Sequence, residues 1–430
     1  MAWINGRGRR AKRAGRGDII GAVDIGTTAI RCCIACATKN DGLHAVGVGQ
    51  QCATGIRHGS IVDMDSAAEA VRRAVQAAEE SAGVTLKDVI INVSSAYLES
   101  HFVAVELRPR RQKVSKLDLR NAHDQVFCRY ESGMGKVVHV VPIEYILDDS
   151  RDIQDPVGMF AERFVVRFHV VTTASGPLKN LHSCIERCHL DVADCVVSPF
   201  AAGLGSLSDD ECEQGVTLID MGGGTTGIAM FVQGKLRHVD MITVGGNHVT
   251  KDLASCLSTS MANAERLKVL YGGAIENESD SRETIDVPPL TSEDGAKGVA
   301  PCPEPVARSR VTQIIHARVA ETLEIVRSRL AASGFHRMPH RSVVLTGGAS
   351  QLPGMREITT QILNVDARMG APNGIEGSES IHVSPGFTTC TGLLAFGASR
   401  SSRSVARRTP ESTSTHGRLG RFGQWIREHT

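Results

Sequence analysis

Apolar and polar positions follow two rhythms along this chain, and the sequence of rhythms occurs twice. Ile19 to Ala37 reads as strand, turn and strand around Gly26-Thr27-Thr28, and Ala45 to Gln51 as a further strand. Asp65 to Ala82 changes to helical spacing, with Ala67, Val71, Ala74, Val75 and Ala78 on one face behind an acidic first turn. Val89 to Val93 returns to strand. From Tyr97 to about Thr173 the pattern is β-rich, in Phe102 to Leu107, Lys136 to Pro142 and Arg163 to Val171, with one helix near Lys116 to Cys128. This stretch reads as an inserted subdomain, because a helix (Pro177 to Cys188) and an α/β pattern resume after it.

The second half repeats the plan. Val216 to Val232 is strand, turn and strand, Leu236 to Val244 is another strand, and a helix starts near Asn247 after Gly245-Gly246. A helical subdomain including Asn263 to Tyr271 follows. Glu276 to Pro305 is rich in Ser, Glu and Pro, with one short strand candidate, Thr284 to Val287, and is expected to be partly a mobile loop. Val306 to Ser333 is a long helix. Val343 to Leu345 is a buried strand, with a helix from about Pro353. These readings divide the chain into a basic arm (1–17), a first domain (18–96 and 175–213) interrupted by the insert (97–174), and a second domain (214–246 and 334–398) interrupted by a helical subdomain (247–333). A Ser/Thr/Arg linker (399–416) and a terminal segment (417–430) complete it.

Composition narrows the function less than it bounds it. Lys plus Arg is 48 and Asp plus Glu is 47, so global charge gives no argument for nucleic acid, and no nucleic-acid partner is expected. The local excess is at the start, where Arg7, Arg9, Arg10, Lys12, Arg13 and Arg16 precede the first acid, Asp18, and read as a solvated tail. No apolar stretch approaches the roughly 20 residues that span a bilayer, and no secretory leader follows the basic start. The chain is expected to stay on the side where it was made. Cys32, Cys33 and Cys36 alternate across one strand, and Cys184 and Cys188 are one helical turn apart. Neither arrangement makes a tetrahedral metal site, so buried thiols in a reducing compartment are expected.

The chemistry concentrates in two loops. Val23-Asp24-Ile25-Gly26-Thr27-Thr28 and Ile219-Asp220-Met221-Gly222-Gly223-Gly224-Thr225-Thr226 are each an apolar run ending in Asp, then glycine, then paired threonines. Glycines allow a turn tight enough for backbone N–H groups to converge on an anion, and the hydroxyls can bond phosphate oxygens. Asp24 and Asp220 can hold hydrated Mg²⁺. A copy in each half points to a duplicated fold gripping a polyphosphate from both sides. A third buried strand breaks into Thr346-Gly347-Gly348-Ala349-Ser350, where glycines allow a flat purine ring against the backbone.

These three motifs, in this order, resemble the phosphate-1, phosphate-2 and adenosine motifs of the actin-like ATPase superfamily. Within it, Val138-His139-Val140-Val141-Pro142-Ile143-Glu144-Tyr145, Asp155-Pro156-Val157-Gly158-Met159, Val244 to Asp252 and Ala264-Glu265-Arg266-Leu267-Lys268 resemble the FtsA family of bacterial cell-division proteins. The resemblance covers residues 18 to 398 and the C-terminal tip. It implies an α/β, duplicated actin-like (ribonuclease H-like) ATPase fold, with an inserted β-rich subdomain in the first half and a C-terminal amphipathic membrane-targeting helix.

It also implies cofactors, ATP with Mg²⁺. Gly26, Thr27 and Thr28 would hold phosphates from one side and Gly222, Gly223, Gly224 and Thr225 from the other. Asp24 and Asp220 would position the metal, Glu265 and Lys268 would reach ribose or adenine, and Gly347 and Gly348 would support the ring. The implied partners are the C-terminal tail of FtsZ, further copies of the chain in a filament, anionic membrane lipid and other divisome proteins, at the inner face of the cytoplasmic membrane. The FtsZ tail would meet the span Asn247 to Val311, where Lys251, Arg266, Lys268 and Arg310 supply positive charge. One departure concerns turnover. Related chaperones carry Glu, and actin Gln, where this chain has Ser198 before Pro199-Phe200-Ala201-Ala202. Neutral, short Ser is a poor base, so binding with at most slow hydrolysis is expected, and no catalytic residue is assigned. A PilM-like pilus-assembly protein and, more remotely, a sugar-kinase-type phosphotransferase share the superfamily motifs.

The terminal segment Gly417 to Glu428 has its own pattern. On a helix turning roughly 100° per residue, Leu419, Phe422, Trp425 and Ile426 share an arc of about 120°. Arg421 and Arg427 flank it. Such a segment lies in a membrane interface and does not span it.

Overall fold

The computed structural model describes residues 18–37, 42–131, 135–151, 153–290, 303–335, 341–377 and 384–406. The basic arm, most of the linker and the amphipathic tip, with Leu419, Arg421, Phe422, Trp425, Ile426 and Arg427, lie outside the described residues.

Two sheets form the frame. In the first, Asp191–Val197, Asp88–Val93, Ile19–Ile25, Ala29–Ala37, Leu43–Cys52 and Ile375–Glu376 lie side by side in that order. Ala29–Ala37 is antiparallel to both of its neighbours, Ile19–Ile25 and Leu43–Cys52, while Asp88–Val93 and Asp191–Val197 add in parallel. The second sheet has the same plan. Lys235–Ile242, Thr226–Val232 and Val216–Met221 are antiparallel, and Ser342–Thr346 and Asp366–Met369 add in parallel. Central strands are covered on both faces, which explains why Val23, Ile91, Ile219 and Leu345 are fully buried and why their segments read as continuous apolar runs.

Helix Met64–Ala82 covers the first sheet with the alanine and valine face expected from its spacing. It starts because the Asp63 side chain accepts from the N–H groups of Asp65 and Ser66, and it stops at Gly83, whose φ of 66° suits glycine. Two helices fill the seam between the halves. Ser198–Ser206 packs on the second sheet, Thr388–Ala406 on the first, and they pack on each other. Their approach is so close that a Cβ on Gly392 would lie 1.6 Å from the Ala201 carbonyl oxygen, and one on Gly205 2.1 Å from that of Thr388.

The inserted subdomain is a three-stranded antiparallel sheet, Glu99–Leu107, Phe164–Ala174 and Gly135–Leu147, with helix Lys116–Glu131 on one face. It has its own core around Tyr145, Phe164, Ala122 and Val126. Although inserted in the first half, it docks on the second. The Ser100 hydroxyl donates to the Val239 carbonyl (2.8 Å) and accepts from the Val239 N–H (3.2 Å), and the Lys235 ammonium donates to the Ile143 carbonyl (3.3 Å).

Two expectations change. Thr284–Val287 is a strand, but Glu304–Ala307 pairs with it, so the long helix starts at Arg308. Pro305 hid that strand; it is tolerated because a two-stranded ribbon has only edges. The final helix continues from Thr388 to Ala406, into the stretch read as linker from Ser399. Ser399 is buried there, its hydroxyl donating to the Phe396 carbonyl (2.7 Å), and Arg400 pairs with Asp194.

The helix seam should be intolerant of a single methyl group. Gly392→Ala is expected to lower unfolding free energy by about 1–3 kcal/mol in urea denaturation. Gly176→Ala, where nothing lies within 4 Å of the new Cβ, should change it by less than about 0.5 kcal/mol.

Candidate nucleotide site

The duplicated turns have the same internal geometry. The Gly26 N–H donates to the Ala29 carbonyl (3.2 Å), and the Gly222 N–H to the Thr225 carbonyl (2.8 Å). Each turn ends the first strand of its sheet, and the two meet face to face. A Cβ on Gly223 would sit 2.6 Å from the Thr28 side chain, and one on Gly224 2.6 Å from that of Thr27. Larger residues there would wedge the halves apart. His58 adds a cross-link from the first half, its Nδ1 donating to the Gly224 carbonyl at 3.2 Å.

Between the turns lies a cleft of about 350 Å³, within the roughly 300–1,000 Å³ typical of small-molecule sites. Asp24, Gly26, Thr27, Thr28, Asp220, Gly222, Gly223, Thr225, Glu265, Lys268, Gly347 and Gly348 all line it. Gly224 does not; it is spent on the contact with Thr27. Gly347 has a φ of 86°, and a Cβ there would lie 2.5 Å from Asp220 Oδ1. Both conformation and space therefore demand glycine next to the carboxylate.

Asp24 is held from behind. Asn92 Nδ2 donates to its Oδ1 (2.7 Å), while Asn92 Oδ1 accepts from the Ile25 N–H (2.6 Å). The same amide donates to the Ser198 hydroxyl (3.0 Å), placing Ser198 in the cleft wall. Arg31 stands 3.8 Å from Asp24, with its Nε donating to Gln50 (3.1 Å) and its guanidinium 5.1 Å over the Phe387 ring. Burial pushes Asp24 up to about 6 despite Arg31. Asp220 goes up to about 7, first through burial and then through the charge of Asp24, with Arg31 and the Thr389 hydroxyl opposing. The two carboxylates, Asp24 buried and Asp220 half-buried, are thus short of positive charge. Hard oxygen donors in that condition fit a divalent cation such as Mg²⁺.

The Lys268 ammonium is buried and has three acceptors: Glu265 Oε2 (2.6 Å), the Thr250 hydroxyl (2.9 Å) and the Gly246 carbonyl (3.3 Å). Glu265 remains half-exposed to the cleft. Lys268 therefore positions Glu265 and is not a free cation on the surface.

Comparison with known proteins decides the family. The profile described as "Cell division protein FtsA" matches residues 217–392, and that of the "SHS2 domain inserted in FTSA" matches residues 95–172. Cell division protein FtsA of Rhizobium meliloti (strain 1021) is 37% identical over 425 residues, covering 96% of this chain and 95% of that protein. The chain belongs to the FtsA family. Its fold is that of the actin-like ATPases. A PilM–PilN type IV pilus biogenesis complex superposes with TM-score 0.61 at 16% identity over 88% of this chain and 98% of the other. MreB5 of Spiroplasma citri bound to ADP superposes with TM-score 0.53 at 13% identity over 91% and 99%.

Beyond the FtsA-family motifs, the cleft contains residues the motif reading passed over. Arg31, Asn92 and Thr389 all line it. Two had a visible signal: Arg31 is the one charged residue in the apolar run Ala29 to Ala37, and Asn92 the one polar residue between Val89 and Val93. Thr389 had none, because its contact with Asp220 joins segments distant in sequence.

The two raised carboxyls would link metal binding in the cleft to protons. Protonated, they stabilise the metal-free fold, and that stability is lost as pH rises through the window from about 4 to about 7, because the folded state binds more protons than the unfolded one. Preformed Mg–ATP should therefore release protons on binding near about pH 6.5 and almost none near about pH 8.5. Calorimetry in buffers of different ionisation enthalpy would measure this, and Asp220→Asn should abolish most of the release at the lower pH.

Proposed function

We propose that this chain binds Mg–ATP between its two halves, assembles with copies of itself at the inner face of the cytoplasmic membrane, and tethers the FtsZ ring there while later divisome proteins are recruited. The observation that carries the reading is the meeting of two equivalent glycine turns, one from each half, beside two carboxylates whose ionisation the fold disfavours. The N–H groups and hydroxyls of Gly26 to Thr28 and of Gly222 to Thr225 bind the triphosphate. Asp24 and Asp220 hold Mg²⁺ and its waters, the metal neutralising phosphate charge. Glu265, set by Lys268, takes the ribose, and Gly347 and Gly348 lie against adenine. A nucleotide held by both halves couples its presence to their relative position, and so to any surface that both halves build.

Turnover is slow in this reading. Ser198, hydrogen-bonded to Asn92 and to the Ser94 hydroxyl, is neutral and committed to the wall. A sugar-kinase reading needs a carboxylate base facing an acceptor, and the carboxylates lining the cleft are Asp24, Asp220 and Glu265, all with other roles here. A pilus-assembly role has only fold likeness behind it, whereas the whole-length relative is a cell-division protein.

The FtsZ tail, acidic and apolar, is received on the helices Gly246–Cys256 and Met261–Tyr271 and the start of Arg308–Ser333. Lys251, Arg266 and Arg310 are exposed there, as are Met261 and Leu270, while Lys268 is buried and unavailable. No helix among the described residues is long and apolar enough to cross a membrane. Attachment falls to Leu419, Phe422, Trp425 and Ile426, with Arg421 and Arg427 on anionic headgroups. Each tip binds weakly, and a filament displaying many binds firmly.

Sedimentation with anionic vesicles, Mg–ATP and FtsZ tests the reading. The parent should carry FtsZ into the pellet, and Trp425→Glu should leave most of both proteins in the supernatant with Mg–ATP affinity unchanged. Equal sedimentation of variant and parent would remove the tip as anchor.

A further inference from the structure

The inserted subdomain carries a charged patch that takes no part in the cleft. Beyond the end of strand Glu99–Leu107, the segment from Arg108 to Arg120 exposes Arg108, Arg110, Arg111, Lys113, Lys116 and Arg120. Its one acid, Asp118, is half-buried and accepts from the Ser115 N–H (2.9 Å) and hydroxyl (2.6 Å). The segment is stitched to its neighbour by bonds from the Val114 N–H to the Met159 carbonyl and from the Ala161 N–H to the Gln112 carbonyl, both 2.9 Å. Arg111 and Gln112 are held at φ of 57° and 56°, which side-chain-bearing residues rarely adopt. The result is a basin of about 590 Å³ walled by Arg110, Arg111, Lys113, Lys116, Val157 and Phe160, with no carboxylate in its wall. Phe160 is 72% exposed, with the Lys113 ammonium 5.6 Å from its ring centre. Met159 and Leu117 are exposed as well.

Strand register gives the direction in which this patch points. Strands Ile19–Ile25, Asp88–Val93 and Asp191–Val197 all run toward the cleft, so Ile19, Asp88 and Asp191 mark the opposite end of the molecule. The inserted sheet starts at the cleft end, where His139 Nε2 accepts from the Val197 N–H (3.1 Å). By Ile143 it has reached Lys235, the first residue of a strand that rises toward the cleft. Leu147 is four residues farther on, about 13 Å at roughly 3.3 Å per residue. The basic patch therefore projects past the end of the molecule opposite the cleft. The last helix leaves by that same end, where Arg400 pairs with Asp194 and Gly397 abuts Ile20.

We propose that this basic–aromatic tip is a second contact with an anionic membrane surface. Phe160 enters the headgroup layer, and Arg110, Arg111, Lys113 and Lys116 reach lipid phosphates. The proposal rests on the reading of the chain as a membrane-peripheral protein and adds a site on the inserted subdomain, separate in sequence from the C-terminal segment. A protruding aromatic flanked by long cationic side chains, with no carboxylate in the basin wall, suits a diffuse anionic plane, because the stems pack against apolar surface while the charges stay wet. Two contacts on one chain also fix its orientation, since a single tethered tip allows free rotation about its linker.

The test uses the full chain, with vesicles of phosphatidylcholine alone or mixed with phosphatidylglycerol. Arg110→Glu/Arg111→Glu should lower partition onto the mixed vesicles roughly 30-fold or more, the effect of losing two cations near the surface. It should flatten the salt dependence and leave Mg–ATP affinity and thermal midpoint unchanged. Phe160→Ser, which alters no charge, should weaken binding without changing the salt dependence. In a Trp425→Glu background the residual partition should require phosphatidylglycerol and vanish when Arg110 and Arg111 are also reversed. If the parent binds neither vesicle, the membrane reading itself fails. If the parent binds and the Arg110→Glu/Arg111→Glu chain binds equally well, only the present proposal fails. Loss of affinity for a Glu-rich peptide with vesicle binding intact would reassign the patch to a protein ligand and overturn it.

Discussion

The structure depends on the contact between two glycine turns, each preceded by a carboxylate that the fold withdraws from water. Asp24 and Asp220 each stand at the end of a central strand, near enough to repel, with Arg31 as the cation that acts on both. That arrangement is unfavourable for the protein alone, since burial and mutual repulsion both oppose ionisation. A divalent cation with a polyphosphate would relieve it. Charge deficit and conformational opportunity thus coincide: the groups that need a cation sit on turns whose closeness depends on having no side chains at Gly223 and Gly224. On the proposed reading, holding the halves together and binding Mg–ATP are one event, with a close-packed helix seam behind them.

Much of this frame was legible in sequence because its strongest signals are local. Buried parallel strands need unbroken apolar runs, tight turns need glycine, and Met64–Ala82 needs one apolar face, so these elements could be read directly. The duplication was readable as well, since both sheets use the same strand plan. What escaped reading was set by distant contacts. Glu304–Ala307 becomes a strand only because Thr284–Val287 is there to pair with it. The last helix reaches past the expected boundary where Ser399 is buried and Arg400 pairs with Asp194 of the first sheet. At the candidate site, the pairing of Lys268 with Glu265 follows from one-turn spacing, but the burial that removes Lys268 from the surface comes from Thr250 and Gly246 on another helix. Thr389 joins Asp220 only through the fold.

The molecule also separates its chemistry by end. The cleft lies where the parallel strands terminate, the usual place for ligands in such sheets. The basic–aromatic tip and the exit of the final helix lie at the other. Signals between the two ends have a short physical route, because the inserted subdomain grips strand Lys235–Ile242 of the second half through Ser100 and Ile143 while remaining covalently part of the first. A change in the angle between the halves must strain or shift that docking. His139 and His169 at this docked sheet are held neutral by burial, down to about 4 and about 3, so the junction keeps its character across ordinary pH.

The central claim is that one nucleotide is held by both halves at once. A crystal structure of the chain with Mg²⁺ and a non-hydrolysable ATP analogue tests it most directly. The account predicts a triphosphate contacted by backbone N–H groups of both Gly26–Thr28 and Gly222–Thr225, with the metal between Asp24 and Asp220, directly or through water. A nucleotide bound to one half alone, or a metal that engages neither carboxylate, would contradict it.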